Sequence, residues 1–284
     1  MKRDYLSDIF EVSKDNLEEV IMKKVNKFLS VMLSLIMIIS IIPMSTITAN
    51  AAVQTGTCGD NLTWAFDEST GTLTISGTGE MYNYSLVYNE TPFFSPWYEL
   101  PITNVLIQDN VTTIGDFAFA FCYSLRDVTI PNNITSIGDF AFAYCNNLTS
   151  SIIIPDSVTS IGSGAFGFCS NISKVHIGKN VQHFGSPFVG CANLTDIVID
   201  SKNPYIILED GIIYSKDKTK IVEYLGSNLA ETFVIPEYVT SIGFGSFSYN
   251  THLLTVVIPT GIKLIDDYTF EGCSNLTNKF VIYS

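Results

Sequence analysis

Positive charge is scarce in this sequence. Beyond Ala51 only nine lysines and arginines stand against 22 aspartates and glutamates. Nucleic acid and anionic membrane surfaces are held by clustered positive charge, so the composition argues against both as partners. The one basic cluster, Lys216, Lys218 and Lys220, reads as a solvated turn. Charged residues of either sign reach only 15%, against a usual quarter. The groups that chemistry needs are also few. The three histidines, His176, His183 and His252, have no cysteine or carboxylate at metal-ligand spacing. There is no C-x-x-C, no phosphate-cradling glycine loop and no nucleophile elbow. Carboxylates pair only locally, as at Asp266-Asp267, whereas glycoside hydrolysis needs two held across a cleft. The expectation is a chain with no metal, no cofactor and no catalytic set of its own.

Long hydrophobic runs are limited to one. After a polar stretch at 1–21, Met22 is followed by Lys23, Lys24 and Lys27, then by Phe28 to Ile42, interrupted only by Ser30, Ser34 and Ser40, and then by Ala49-Asn50-Ala51. A positive start, a short apolar run and an A-x-A site make a secretory signal peptide, with cleavage after Ala51 and Met22 as the start. An uncleaved anchor is the alternative, but a membrane span needs about 20 apolar residues. Any membrane contact is therefore assigned to residues 1–51 alone.

What the sequence has in quantity is repetition. Ile114, Ile137, Ile161, Phe184, Ile242 and Ile265 lie 23, 24, 23, 58 and 23 positions apart. The same step relates Phe119, Phe142, Phe166, Phe188, Phe247 and Phe270. It also relates Cys122, Cys145, Cys169, Cys191, Asn250 and Cys273, and a Leu or Ile three residues beyond each. A period in this range means a solenoid, because one unit cannot bury its apolar face alone and must stack on its neighbours. Each unit carries a β-branched triplet such as Val128-Thr-Ile130 or Ile152-Ile-Ile154. Such a triplet makes one rung of a parallel ladder, its outer residues inward and its middle residue outward. Pro131, Pro155, Pro236 and Pro259 end the rung. The following Ile-Gly lines a second wall, with Gly115, Gly138, Gly162, Gly185 and Gly243 expected to free the backbone for a turn. The Ala-Phe-x-x-Cys segment is expected to be a short helical turn.

Two stretches depart from the period. Residues 52–103 hold a β-hairpin pattern, Leu62-Thr-Trp-Ala-Phe66 and Thr72-Leu-Thr-Ile-Ser76, and then an aromatic segment from Tyr82 to Tyr98 broken by prolines. This is the expected N-terminal cap, with the repeats running from 104 to 284. The 58-residue interval holds a long unit at about 200–236, in which Gly211-Ile-Ile-Tyr214 and Lys220-Ile-Val-Glu-Tyr224 flank a polar turn. A hairpin standing off the ladder is expected there.

The unit IPxxVTSIGxxAFxxCxxL, the opening Cys58-Gly-Asp-Asn-Leu-Thr-Trp64 with Gly71-Thr-Leu-Thr-Ile-Ser-Gly-Thr-Gly79, and Asn203-Pro-Tyr with Asp210-Gly-Ile-Ile-Tyr are similar to the BspA-like leucine-rich repeat proteins. The resemblance covers about 58–284. It implies a curved leucine-rich repeat solenoid of parallel strands, secretion or surface display, and a role in binding or adhesion, without naming a ligand. The chain departs from the pattern at Asn250, Phe184, Gly178 and Asp200.

Five cysteines share one repeat position and are read as a reduced, buried ladder, each packed beside its equivalent, with Asn250 satisfying the same groups through its amide. Cys58 has no partner and is read as a free thiol, with intermolecular pairing as the alternative. Most of the Asn-x-Thr triplets, among them those at Asn147, Asn193 and Asn275, follow from the repeat. Two outward rows remain as candidate surfaces. Leu106, Thr129, Ile153, His176, Val198, Val234 and Val257 form the first, for which plain strand propensity is the preferred explanation. Phe121, Tyr144, Phe168 and Tyr249 form the second, with Gly190 and Gly272 interrupting; either they bind or they pack on the next unit. The reading is a non-catalytic interaction module for an extracellular protein or glycan, with a targeting region of a longer secreted enzyme as the alternative.

Overall fold

The computed structural model describes residues 53–85, 94–149 and 151–283, the last six by backbone alone. The signal peptide, its cleavage site, Met22 as the start and part of the cap's aromatic segment lie outside the described residues. Three antiparallel strands, Val53–Gly59, Leu62–Asp67 and Thr72–Gly77, open the fold. The third pairs in parallel with Asn104–Ile107, which pairs with Asp127–Thr129, so the cap is built directly onto the first rungs of the repeat ladder.

Each coil then gives one rung to each of two walls. The first wall continues through Ile152–Ile154, Lys174–Ile177 and Asp196–Ile199, paired in parallel and in register. It resumes after the long unit with Thr232–Val234, Thr255–Pro259 and Asn278–Tyr283. The triplets alternate as their period demands: in Ile152–Ile154 the outer residues are buried and Ile153 is 61% exposed. The second wall is made of two-residue rungs, Thr113–Ile114, Ser136–Ile137, Ser160–Ile161 and His183–Phe184. Between the walls Phe119, Phe142, Phe166 and Phe188 form a stack of rings 5.1, 5.1 and 5.7 Å apart, close to the spacing of paired strands. Trp97 closes its near end at 5.5 Å from Phe119 and donates its indole N–H to the Ala118 carbonyl at 2.8 Å.

The third side of the coil is not helical. Phe117, Phe119 and Phe121 donate their backbone N–H groups to Asp139, Ala141 and Ala143 of the next coil, at 2.9, 2.7 and 2.8 Å. A helix would direct those groups back into its own turn. Here they run along the stack, and the chain alternates hand to allow it: Phe117 and Phe121 sit at φ 53° and 62°. The segment is a run of tight turns cross-linked to its neighbours.

The glycines of the second wall serve closeness and not a turn. A Cβ on Gly162 would stand 2.6 Å from the Asp139 nitrogen and 2.6 Å from the Gly138 carbonyl carbon; on Gly138 it would meet the same atoms one coil earlier. Neither has a left-handed φ. Coils pass so near each other here that only hydrogen fits on the α-carbon.

The long unit also differs from expectation. It contributes three strands, Ile206–Glu209, Ile212–Ser215 and Lys220–Tyr224, the last paired in parallel with Ser241–Ile242. The hairpin does not stand off the ladder. Ile212, Ile213, Tyr214, Ile221, Val222 and Tyr224 are all buried, because successive residues face two different cores. The hairpin is thus the partition between the two, and a second ring stack, Tyr224, Phe247 and Phe270, begins on its far side at spacings of 5.0 and 5.1 Å.

If crowding and not backbone freedom selects the wall glycines, Gly162→Ala will destabilise the protein by about 1–3 kcal/mol by forcing two coils apart. Urea unfolding measures this; an unchanged midpoint would restore the turn explanation.

Candidate functional site

The aromatic row proposed from the sequence is one continuous column. Phe121 and Tyr144 stack at 5.0 Å with planes 9° apart, Tyr144 and Phe168 at 4.6 Å and 10°, and Tyr249 meets Phe168 edge-on at 4.7 Å. All four are half-buried, so packing on the neighbour and exposure to solvent are both realised. Their backbones are all left-handed, φ 62°, 61°, 59° and 56°, and the two interrupting positions, Gly190 and Gly272, share that conformation at 72° and 64°. Left-handed geometry costs a non-glycine residue about 1–2 kcal/mol, and the ring contacts of the column, stacked from Phe121 to Phe168 and edge-on at Tyr249, offset it at about 0.5–1.5 kcal/mol per pair. The glycines occur where a ring leans across: a Cβ on Gly190 would touch Phe168 at 2.6 Å, and one on Gly272 would touch Tyr249 at 2.6 Å.

Sequence reasoning missed the column's beginning. Tyr98 meets Phe121 edge-on at 6.3 Å and stacks on Phe94 at 4.2 Å. Its position 23 residues before Phe121 was the available signal, hidden because the surrounding cap departs from the repeat. A second pair, Phe117 and Phe140, stacks at 5.1 Å four residues upstream of the column. The strand row is also outward-facing, with Leu106, Ile153, Val198 and Val234 exposed and Thr129 and His176 between them.

The cysteine position behaves as a ladder. The thiols of Cys145, Cys169, Cys191 and Cys273 donate to the carbonyls of Phe119, Phe142, Phe166 and Phe247 of the preceding coil, at 3.2, 3.1, 3.0 and 3.1 Å. Cys122 shares the position and is buried against the cap. Asn250 does a different job from the one expected. Its Oδ1 accepts from the N–H groups of His252 and Leu253, both at 2.9 Å, closing its own turn, while its Nδ2 has no partner among the described residues. The coil before it is the long unit, which replaces the regular turn. Cys58 is a free thiol but not an available one: it is fully buried in the cap, which removes intermolecular pairing. Burial pushes the thiols of Cys58 and Cys122 up to about 12. The Asn-x-Thr asparagines are occupied as well: Asn147, Asn193 and Asn275 each donate Nδ2 to a carbonyl of the previous coil at 2.7 Å.

At the partition a carboxylate replaces a carbonyl. Phe166 donates its N–H to the Pro187 carbonyl in the regular way, but Phe188 donates to the Glu223 side chain, 3.0 Å from N to Oε1. Glu223 is 3% exposed, its Oε2 has no partner among the described residues, and burial raises its pKa to about 8 against the lesser pull of the Phe188 N–H.

These elements define a leucine-rich repeat solenoid. The model of the BspA type leucine rich repeat region matches residues 95–215 and 219–282 in six copies, and the chain belongs to that family. The match begins inside the segment read as cap, where Trp97 takes the phenylalanine's place in the stack. Among solved structures the chain is similar to a leucine-rich repeat protein from Eubacterium ventriosum, at 25% identity over 82% of this chain and 73% of that one, with a TM-score of 0.59. It also shares its fold with the pneumococcal vaccine antigen PcpA, at 16% identity over 82% and 70%, with a TM-score of 0.51. No curated protein matches the sequence.

Two outcomes follow. Only the thiolate reacts quickly, so intact-mass analysis of the native protein with a thiol reagent at pH 8 will show no rapid modification; the half-buried Cys273 will be the first to react, and denaturant will expose all six. Rapid labelling of Cys58 would contradict its burial. For Glu223 the folded pKa lies above the unfolded value of about 4.3. Its contribution is therefore fully retained below pH about 4 and is lost as pH rises towards 8, at up to about 1.4 kcal/mol per unit. Glu223→Gln, whose amide oxygen still accepts from Phe188, will raise the melting temperature at pH 8 and leave it unchanged at pH 4. Parallel melting curves from pH 4 to 9 would refute this.

Proposed function

We propose that the protein is a secreted or surface-displayed, non-catalytic interaction module that binds an extracellular protein or glycan through its extended outer face, with the Tyr98–Tyr249 aromatic column as the main contact. The observation that carries this is the column itself. Its rings are fixed by stacking and by a strained backbone, so little ordering remains to be done on binding, and aromatics are the side chains that most often anchor interfaces. The signal-peptide pattern supports secretion. The acidic surface supports a partner other than nucleic acid, with membrane contact confined to the signal segment.

Gly190 and Gly272 supply the control, because glycine is native to this backbone position. A variant carrying Phe121→Gly, Tyr144→Gly and Phe168→Gly keeps the required φ, and will keep the wild-type circular dichroism while losing more than about tenfold in binding on an array of extracellular-matrix proteins and glycans. Replacing Leu106, Ile153 and Val198 with threonine will leave binding intact. Undiminished binding by the folded glycine variant would remove the column from the function.

A further inference from the structure

The second wall stops at one place. Along it, N–H groups of each coil reach carbonyls of the one before: Thr135 to Thr112 at 2.8 Å, Thr159 to Thr135 at 2.9 Å, Gly162 to Ile137 at 2.8 Å and Gly185 to Ile161 at 2.9 Å. The pattern resumes with Thr240 to Thr219 and Gly243 to Ile221, both at 2.8 Å. Between these the rung His183–Phe184 is an edge, since the hairpin of the long unit pairs with Ser241–Ile242 and not with it. The carbonyls of Gln182 and Phe184 are the register equivalents of Thr159 and Ile161. Among the described residues neither accepts a hydrogen bond.

A concavity of about 580 Å³ opens at this edge, within the range of small-ligand sites. Four ring-bearing residues line it: Phe184, half-buried, with His183, exposed, and Tyr205 and Phe244, 41% and 40% exposed. Asp139, Gln182 and Lys220 bring a carboxylate, an amide and an amine to the same lining. Asp139 is held in place, its Oδ1 accepting from the Ser163 N–H at 2.6 Å. Lys220 lies 3.7 Å from Asp266, a loose pairing that leaves donors to share.

We propose that this break in the wall is a binding site for a neutral saccharide. Fixed acceptors, a few donors and several exposed rings match a ligand whose hydroxyls both donate and accept and whose C–H faces are apolar. An extended peptide added to the edge would find only a two-residue rung, with two carbonyls in place of a continuous row. An anionic ligand would meet Asp139 and a chain of net charge −13. The site lies on a different wall from the aromatic column. The inference rests on the reading of the chain as an extracellular interaction module only in expecting an extracellular ligand.

The experiment is titration of the secreted chain with neutral hexose and N-acetylhexosamine di- to tetrasaccharides, by calorimetry and ligand-observed NMR. Wild type will bind at least one of them. Phe244→Ala will weaken it at least about tenfold; Asp139→Asn, which keeps the acceptor for Ser163, will weaken it without changing the melting temperature. The triple glycine variant of the column will bind the saccharide as wild type does. Three results would overturn the proposal: no saccharide bound by folded wild type, saccharide binding insensitive to both pocket variants, or a library peptide that binds and is released by Phe244→Ala. Loss of saccharide binding in the column variant alone would move the ligand to the column, sparing the interaction-module reading while refuting this site.

Discussion

The distance between successive coils governs this molecule. Two parallel rungs joined by backbone hydrogen bonds lie about 4.8 Å apart, and every residue repeated at 23 or 24 positions must tolerate its own copy at that distance. Phenylalanine rings tolerate it by lying face to face at 5.1 Å. Where the backbones come nearer than a side chain allows, glycine is what remains, as at Gly138 and Gly162. Polar residues tolerate it by reaching to the adjacent coil, aspartates forward and threonines back. Asp116 and Asp139 accept from the N–H groups of Asp139 and Ser163 at 2.7 and 2.6 Å, and Thr135 and Thr159 donate their hydroxyls to Thr112 and Thr135. The same spacing therefore selects residues of opposite character, and a stack with few charges is held by backbone, ring and hydroxyl contacts.

A constraint so uniform makes its interruption expensive. At the long unit the ring stack changes from Phe188 to Tyr224, the core divides in two, and the second wall breaks. Four of the seven buried polar atoms without partners among the described residues lie in these few positions: Glu223 Oε2, Tyr224 OH, Ser246 Oγ and Asn250 Nδ2. An unsatisfied buried polar group costs about 1–3 kcal/mol, and the regular coils on either side offset it through their own stacking. Ser186 ties across the joint as Glu223 does, its hydroxyl placed at 2.8 Å from the Phe244 carbonyl and 3.1 Å from that of Val222.

The sequence made the stack legible because a period is a statement about neighbours: residues 23 apart had to touch, and Phe119, Phe142 and Phe166 do. Rung polarity was legible for the same reason, since alternation in a triplet leaves its middle residue outward. Backbone hand was not. Phenylalanine and tyrosine say nothing of a left-handed φ, and only their exchange with Gly190 and Gly272 in one column hints at it. The second-wall glycines misled in the opposite sense, because glycine answers both to freedom and to crowding and the sequence does not say which. Cys58 and Glu223 could not be placed at all, since their burial depends on the cap and the hairpin, the two parts that do not repeat. Of the candidate site, the four regular members of the column were readable and Tyr98 was not.

The two candidate surfaces differ in what their rings have left to offer. In the column Phe121, Tyr144 and Phe168 stack face to face at 5.0 and 4.6 Å, gaps with no room for a further planar group, and Tyr98 and Tyr249 meet the two ends of this stack edge-on, so a partner meets mainly ring edges. Edges carry the positive end of the aromatic quadrupole and favour contact with carbonyl or carboxylate oxygen, which a protein surface presents in quantity. At the break in the second wall the stacking is interrupted, and rings such as Phe244 are more open. Ring faces suit the C–H side of a sugar better than a peptide plane. The irregular unit, which costs the stack part of its uniformity, thus also leaves Phe244, held edge-to-face by Tyr268 at 5.2 Å, partly exposed beside the concavity and available to a small ligand.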